Sequence, residues 1–131
     1  MNDCIFCKIA SKEIPVDLIY EDENSIAFLD IKPINPGHTL IVPREHVDHF
    51  FDMSSPVYQH VFDVAKRIAP ILKDVMGTAR TGLAIEGFGV AHAHIHLVPI
   101  NHGNELNPER AKPATSEELE EMTKKIQAAL L

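Results

Sequence analysis

The sequence predicts an α+β domain in which short strands form one sheet and helices pack against it. Three observations support this fold class. Apolar residues alternate with histidines over 92–98, they recur at helical spacing over 56–76 and 119–130, and short strand-like runs occupy much of the rest. A chain of 131 residues can bury one sizeable core, so we expect a single domain over residues 1–131.

The first half of the chain is predicted to contribute three strands. Residues 18–20 and 26–29 are typical of strands, and the acidic run between them has the composition of a hairpin turn. Residues 32–37 predict a rigid loop, because two prolines fix φ and a glycine permits the reversal. A third strand is expected over 38–42, ending at a proline.

The second half is predicted to form a long helix, two strands and a closing helix. Residues 54–56 are typical of a helix start, and apolar residues then follow at steps of three and four until Gly77. Residues 81–85 and 91–100 predict the fourth and fifth strands. The Thr115–Glu118 pair matches a capping box at the start of the last helix.

Composition narrows the function classes. The chain is 45% apolar and 24% charged, which is ordinary for a globular protein. A net charge of −7 argues against a long nucleic-acid footprint, although local contacts could still hold a mononucleotide. We expect no membrane span, since no long apolar run occurs, and a cytoplasmic location, since two cysteines accompany no export signal.

Three histidines dominate the predicted fifth strand. His92, His94 and His96 alternate with apolar residues, so a regular strand would place all three imidazoles on one face. The backbones of His92 and His96 would then stand about 13 Å apart, too far for all three rings to share one ion without strain. Such a row suits an extended ligand such as a chain of phosphates. Imidazole can attack phosphorus while its neighbours donate hydrogen bonds.

The segment His92–Val98 resembles the histidine triad of the HIT superfamily. Residues 5–9, 13–15, 27–30 and 37–43 match further family segments in order and spacing, so the resemblance covers residues 4 to about 100. The chain most resembles the Hint-like branch of small bacterial HIT hydrolases. The resemblance implies a HIT-like fold, with a mostly antiparallel sheet that takes up the five predicted strands, a long central helix and a C-terminal helix. It also implies a homodimer that acts on nucleotides.

The resemblance further implies roles for individual residues. His94 corresponds to the nucleophile that attacks the α-phosphorus and forms a nucleotidyl-histidine, His96 to a donor to phosphate oxygens, and His38 to a supporting residue. Asp30 would bind the ribose hydroxyls, although a strand-end aspartate that bonds a turn amide is an alternative. The base pocket of a purine nucleotide would be lined by four apolar side chains, for each of which plain core packing is the alternative: Phe6, Ile9, Phe28 and Ile31.

The segment before the triad departs from the family pattern. Many Hint-type proteins carry an asparagine and then Gly-Gln-Ser shortly before their histidines. Here the corresponding run is Gly87-Phe88-Gly89, and the asparagine has no counterpart. The hydroxyl that helps the leaving group depart is therefore missing. The backbone amides of Gly87 and Gly89 could still bind phosphate, because glycine lets a ligand approach the chain closely.

A structural zinc ion is predicted at Cys4, Cys7, His46 and His92, and no organic cofactor is expected. The Cys-x-x-Cys pair places two thiolates within reach of one ion, and two histidines would complete a tetrahedron. His46 lies at the position that zinc-bearing bacterial relatives use, and His92 could turn from the nucleotide row toward the metal. A redox role is less favoured because no βαβ pattern surrounds the cysteines. Two unligated thiols are the remaining alternative.

Three function classes stay open from the sequence. The first is a hydrolase or transferase that acts on nucleoside phosphoramidates, dinucleoside polyphosphates or related α-phosphate substrates. The second is a nucleotide-binding scaffold module with little turnover, and the third is a metal-dependent hydrolase that uses the histidines as ligands. We also expect a homodimer to which helix 56–76 contributes. Its apolar surface is wider than one sheet-facing stripe requires, although a large core within one chain would explain this nearly as well.

Overall fold

The computed structural model describes residues 3–131, which contain a five-stranded antiparallel sheet. The strands are β1 (Tyr20–Glu21), β2 (Ser25–Leu29), β3 (Thr39–Pro43), β4 (Arg80–Ala84) and β5 (Ile95–Ile100). Their order in the sheet is β1-β2-β3-β5-β4, and each neighbouring pair is antiparallel. The predicted α+β fold class is therefore confirmed, with strand boundaries that differ by a residue or two from those predicted for β1–β4.

Helices pack on both faces of the sheet. The helices are α1 (Ile5–Ala10), α2 (Ser55–Met76) and α3 (Ser116–Leu130). Buried residues of α2 and α3 join the inward side chains of Ala27, Ile41 and Ile95 in one core. On the opposite face, Phe6 and Ile9 of α1 join a second cluster. None of the helices within residues 3–131 is long and apolar enough to cross a membrane.

The helix ends follow the predicted signals with one exception. Gly77 caps α2 in the left-handed conformation at φ 68°, and its N–H donates to the carbonyl of Lys73. Thr115 and Glu118 form the predicted reciprocal capping box of α3. Ser54 is the N-cap of α2, but its hydroxyl makes no capping bond. Helix α1 was not predicted, because six residues with two buried side chains carry little periodic signal.

The prediction that one regular strand spans residues 91–100 was wrong at its start. β3 and β5 pair from Thr39↔Leu97 to Ile41↔Ile95, and two further steps of this register would bring Pro43 opposite Ala93. Proline has no N–H to donate. The N–H of Ala93 instead donates to the carbonyl of Val47. His92 and His94 therefore lie before β5, and the shared strand face predicted for the three histidines does not include His92.

The face of the sheet that carries α1 also carries His96. Register places Phe28, Leu40, His96 and Ala84 in one row across four strands, and directly opposed residues point to the same face. Phe6 and Ile9 cover only the β2–β3 half of this face, against residues such as Phe28 and Leu40. A cavity lies over the β5–β4 half, where Leu106 and Pro108 of the segment after β5 line it together with Ala84 and His96.

Candidate active site

Three imidazole rings form a continuous row on this face. The ring centroids of His94 and His96 are 4.8 Å apart, and those of His96 and His38 are 5.1 Å apart. Phe6 meets the His94 ring edge-on at 5.1 Å. The sequence predicted such a row, but His38 occupies the third position in place of His92.

The proton of His94 is fixed by the backbone. Its Nδ1 lies 2.7 Å from the carbonyl oxygen of His92. A carbonyl only accepts hydrogen bonds, so Nδ1 carries the proton and Nε2 of the neutral ring keeps its lone pair. A lone pair on an oriented ring is what nucleophilic attack requires.

A second chain of hydrogen bonds orients His96. The N–H of Ile34 donates to Nδ1 of His38 at 3.0 Å, so the proton of neutral His38 lies on Nε2. That Nε2–H donates to Nδ1 of His96 at 2.9 Å, which leaves Nε2–H of His96 as a donor. Burial lowers the pKa of His38, and burial with the neighbouring histidines lowers the pKa of His96 to about 4. Both rings are therefore neutral at neutral pH.

Asp30 follows the last residue of β2 and lies beside this chain of hydrogen bonds. Its Oδ1 accepts from the N–H of Lys32 at 2.9 Å, so the turn interaction considered as an alternative is present. Its Oδ2 lies 3.7 Å from Nε2 of His38 and the residue lines the neighbouring cavity. One carboxylate oxygen thus supports the turn while the other can accept from a bound hydroxyl.

The cavity beside His96 has a volume of about 450 Å³ and a mostly apolar lining. Phe88 stands at its edge with 85% of its surface exposed. Gly87 and Gly89 flank that residue at φ +87° and +90°, and a Cβ added at either would meet nothing within 4 Å. Positive φ, and not a close contact within this chain, accounts for the two glycines. Phosphate binding by their amides stays a prediction.

The four residues predicted for the base pocket do not all lie together. Phe6, Ile9 and Phe28 belong to the buried cluster under α1, where each is 5–6% exposed. Ile31 is 75% exposed and outside that cluster. Core packing therefore accounts for three of the four side chains, and their contact with a base remains a prediction.

The four predicted metal ligands do come together. The donor atoms of Cys4, Cys7, His46 and His92 all lie within 4.8 Å of one another. Nδ1 of His92 is 3.3 Å from Sγ of Cys4, 3.4 Å from Sγ of Cys7 and 3.1 Å from Nδ1 of His46. Tetrahedral zinc, with ligands at about 2.0–2.3 Å, requires donor atoms at roughly such separations.

The position of the proton on His92 makes this cluster suitable for a metal. Nε2 of His92 lies 2.8 Å from the carbonyl of Pro43 and donates to it, so the lone pair on Nδ1 faces the thiols. A carbonyl partner on the far nitrogen is the usual support for a metal-binding histidine. Burial lowers the pKa of His92, which favours the neutral ligand. The residues present therefore fit a Cys₂His₂ zinc site.

A second group of possible ligands fails the same test. The donor atoms of Asp30, His38 and His96 also lie within 4.8 Å of one another. However, Nδ1 of His38 accepts from Ile34, so its Nε2 holds the proton and offers no lone pair. A metal would have to break that hydrogen bond. The geometry therefore disfavours the metal-dependent hydrolase among the three function classes.

Comparison with known proteins now identifies the family. The sequence model of the HIT domain family matches residues 11–103 of this chain. The chain belongs to the HIT family. The match takes in β1 to β5 and the histidine row, while Cys4 and Cys7 lie before it.

Solved HIT structures share the fold over nearly the whole chain. A Hit-like protein of Bartonella henselae, described as involved in cell-cycle regulation and solved with an unknown ligand, is 34% identical with a TM-score of 0.88, covering 98% of this chain and 97% of its own. A Zn-bound histidine triad protein of Mycobacterium smegmatis is 31% identical with a TM-score of 0.83, covering 98% and 93%.

A relative with a named activity also matches. The adenosine 5'-monophosphoramidase of Saccharomyces cerevisiae is 38% identical over 97 residues, which are 73% of this chain and 61% of the relative. With the family match, this similarity supports a nucleotide-binding hydrolase in general terms.

Some features of this HIT site escaped sequence reasoning. The donor to His38 is the backbone of Ile34, and the acceptor for His92 is the backbone of Pro43. Backbone groups have no residue type, so no motif signals them. Phe88 lies in the run that departs from the family pattern, but the sequence predicted no role for it. Its position between two glycines was the available signal that its side chain projects from a tight loop.

Proposed function

We propose that this protein is a nucleotide hydrolase or transferase of the Hint-like branch. It attacks the α-phosphate of nucleoside phosphoramidates or dinucleoside polyphosphates. The observation that supports this best is the lone pair of His94 Nε2 beside the Nε2–H donor of His96. The yeast phosphoramidase supports the choice of substrate class.

The reaction proceeds in two displacements. Nε2 of His94 attacks the α-phosphorus, and the bond to the leaving group breaks. The leaving group takes the electron pair and, where it is an amine, one proton from solvent. Nδ1–H stays bonded to the carbonyl of His92, so the nucleotidyl ring is cationic and is itself a good leaving group. Water then attacks phosphorus, releases a proton, and the nitrogen–phosphorus bond breaks to restore His94.

Neighbouring groups hold the substrate during both steps. His96 donates Nε2–H to a phosphate oxygen, and His38 fixes that ring through its own N–H. Asp30 accepts from the ribose hydroxyls, while Phe6, Ile9, Phe28 and Ile31 contact the purine base. The amides of Gly87 and Gly89 supply further donors to phosphate.

A zinc ion is the proposed cofactor, with a structural role. Cys4, Cys7, His46 and His92 would hold it and so join the N-terminal helix to the segments before α2 and before β5. The ion would supply cross-linking strength and no reactive group. The zinc-bound mycobacterial relative and the ligand geometry support this assignment. Thiolate ligands also favour a reducing compartment, so we propose the cytoplasm.

A homodimer is proposed as the working form. Phe62 and Ala69 of α2 pack against the core of the single chain but are only half-buried, so part of their apolar surface is uncovered within one chain. Light scattering at micromolar concentration should return about twice the 14.6 kDa of one chain. Phe62→Lys should shift the mass toward that of one chain, whereas Lys66→Glu, on the exposed surface of the same helix, should not. A wild-type mass of 14.6 kDa would refute the dimer.

A nucleotide-binding module with little turnover is the second candidate. Gly89 favours it, because no side-chain hydroxyl is present there to assist the leaving group. Turnover of adenosine 5'-phosphoramidate, measured beside equilibrium binding of AMP, tests both functions on one protein. Catalytic turnover supports the hydrolase. Tight binding of AMP without release of ammonia supports the module and contradicts the hydrolase.

A further inference from the structure

We propose that Arg110 is a positioning residue for the proposed reaction, and that it acts through Asn35 on the proton of His38. The kinetic consequence rests on the proposed function, because it takes His96 to donate to the α-phosphate. The inference goes further by assigning a role to the segment beyond the family match, which ends at residue 103. The positions of the ring protons can be measured without any substrate.

The segment that follows β5 runs along the loop between β2 and β3. The N–H of Lys112 donates to the carbonyl of Pro33 at 3.1 Å, and the N–H of Ala114 donates to the carbonyl of Ile31 at 3.1 Å. These bonds involve no side chain, so a substitution at Arg110 leaves both of their partners in place. The segment therefore stays beside the loop in such a variant, and the role of the Arg110 side chain can be tested by itself.

The side chain of Asn35 is held at both ends. Its Oδ1 accepts from Nη2 of Arg110 at 2.9 Å, and its Nδ2 donates to the carbonyl of Pro99 in β5 at 2.8 Å. A guanidinium only donates and a carbonyl only accepts, so the amide fits in one orientation. Arg110 thereby fixes the bond that ties the loop to β5, three residues from His96.

The same loop sets the proton of His38. The N–H of Ile34, the residue before Asn35, donates to Nδ1 of His38. The N–H of His38 in turn donates to the carbonyl of Asn35. If the loop were released from β5, Ile34 would move away from the ring, and His38 could carry its proton on Nδ1. Its Nε2 would then no longer donate to His96, and that ring would lose its fixed orientation.

Arg110 has a second partner in Glu105. Nη2 of Arg110 lies 3.3 Å from Oε2 of Glu105, whose other carboxylate oxygen accepts from the N–H of His102. The Arg110 side chain is 43% exposed, and ion pairs in such positions add little to stability. Glu105 supports the turn after β5, whereas Asn35 leads to the histidine row. We therefore expect the effect of Arg110 on turnover to pass through Asn35.

NMR of the ring nitrogens in isotope-labelled protein reports the proton positions. In the wild type, His38 and His96 should both carry the proton on Nε2. Arg110→Ala should give His38 a mixture of the two neutral tautomers. Arg110→Lys should restore much of the wild-type signal, because an ammonium group can also donate to Asn35. Lys112→Ala is the matched control: it removes an exposed cation from the same segment but keeps the backbone bond to the loop. Its spectrum should match the wild type.

Kinetics test the route to turnover. With adenosine 5'-phosphoramidate, Arg110→Ala should lower kcat about five- to tenfold with a smaller change in KM, because His96 loses its fixed donor geometry. Asn35→Ala should lower kcat by at least as much. The double variant should fall no further than Asn35→Ala alone, since both changes break one route. Lys112→Ala should keep the wild-type kcat.

The outcomes separate the inference from the proposed function. Unchanged ring spectra in folded Arg110→Ala overturn the inference, and so do losses that multiply in the double variant. Asn35→Asp keeps the side-chain shape but replaces the donor to Pro99 by an acceptor, so it repeats the NMR test if Arg110→Ala does not fold. In each case, turnover by the wild type leaves the proposed function standing. If the wild type turns over neither phosphoramidates nor dinucleoside polyphosphates, the proposed function fails and the kinetic consequence fails with it. The ring spectra then decide by themselves whether Arg110 fixes the proton of His38.

Discussion

His94 donates from Nδ1 to the backbone carbonyl of His92 across 2.7 Å. The ring of the same His92 contacts the sulfur atoms of Cys4 and Cys7. One residue therefore contributes its side chain to the candidate metal cluster and its carbonyl to the candidate nucleophile.

Replacement of His94 should remove the reaction but not the fold. His94→Ala deletes the lone pair that attacks phosphorus, so kcat should fall by roughly 10⁴-fold or more. Thermal unfolding and AMP binding should change little. His49→Ala, at an exposed histidine outside the row, should keep wild-type kcat. When a reaction with an α-³²P-labelled substrate is quenched without acid, peptide mapping should place the label on His94. Wild-type turnover in His94→Ala would refute the assignment.

Replacement of Asp30 should act on the ribose. Asp30→Asn keeps the shape of the side chain but weakens the acceptor, so KM should rise about tenfold with a smaller change in kcat. A 2'-deoxy substrate should lose affinity with the wild type and lose less with Asp30→Asn. Equal losses on the two proteins would mean that Asp30 does not contact the 2'-hydroxyl.

Metal content should control stability more than chemistry. Protein purified without chelator should contain about one zinc per chain, and Cys7→Ser should lose most of it. The loss should lower Tm by several degrees and affect kcat less. Ser11→Ala, just beyond the same helix, should keep both the zinc and the Tm. Folded wild-type protein with far less than one equivalent of zinc would contradict the site.

Acid should destabilise the protein through His96. Burial lowers its folded pKa to about 4 from an ordinary value of 6.5, so the unfolded chain binds more protons between those values. The contribution of His96 to the free energy of unfolding should therefore fall as pH decreases from 6.5 toward 4 and be nearly constant above 6.5. Urea unfolding of wild type and His96→Asn at about pH 7.5 and pH 5 measures this. The variant should lose less stability on acidification, and an equal loss in both proteins would exclude His96 as the cause.

Local signals in the sequence predicted most of the fold. Gly77 and the Thr115–Glu118 pair define helix ends through bonds to their immediate neighbours, so spacing alone identified them. The start of β5 depends on Pro43 of another strand, which the alternation around His94 cannot reveal. An alternating pattern predicts a regular strand only where the neighbouring strand can pair along its whole length. Here the neighbour is β3, and Pro43 lacks the N–H for that pairing.

The sequence predicted the identity of the site residues better than it predicted their arrangement. The four metal ligands came together as expected. His38 joined the row because loop residue Ile34 donates to its ring, a contact that depends on the loop's path. Ile31 is exposed although it follows a buried strand, because side-chain direction beyond a strand end is set by the turn.

The metal cluster brings together distant parts of the chain. Cys7 and His46 are 39 residues apart, and His46 and His92 are 46 apart. An ion held there would close two long loops at once, and the entropic cost of such closure grows with loop length. Because His46 follows β3 and His92 precedes β5, we expect the complete cluster to form only once these strands have paired, late in folding. It would then slow unfolding more than it speeds folding.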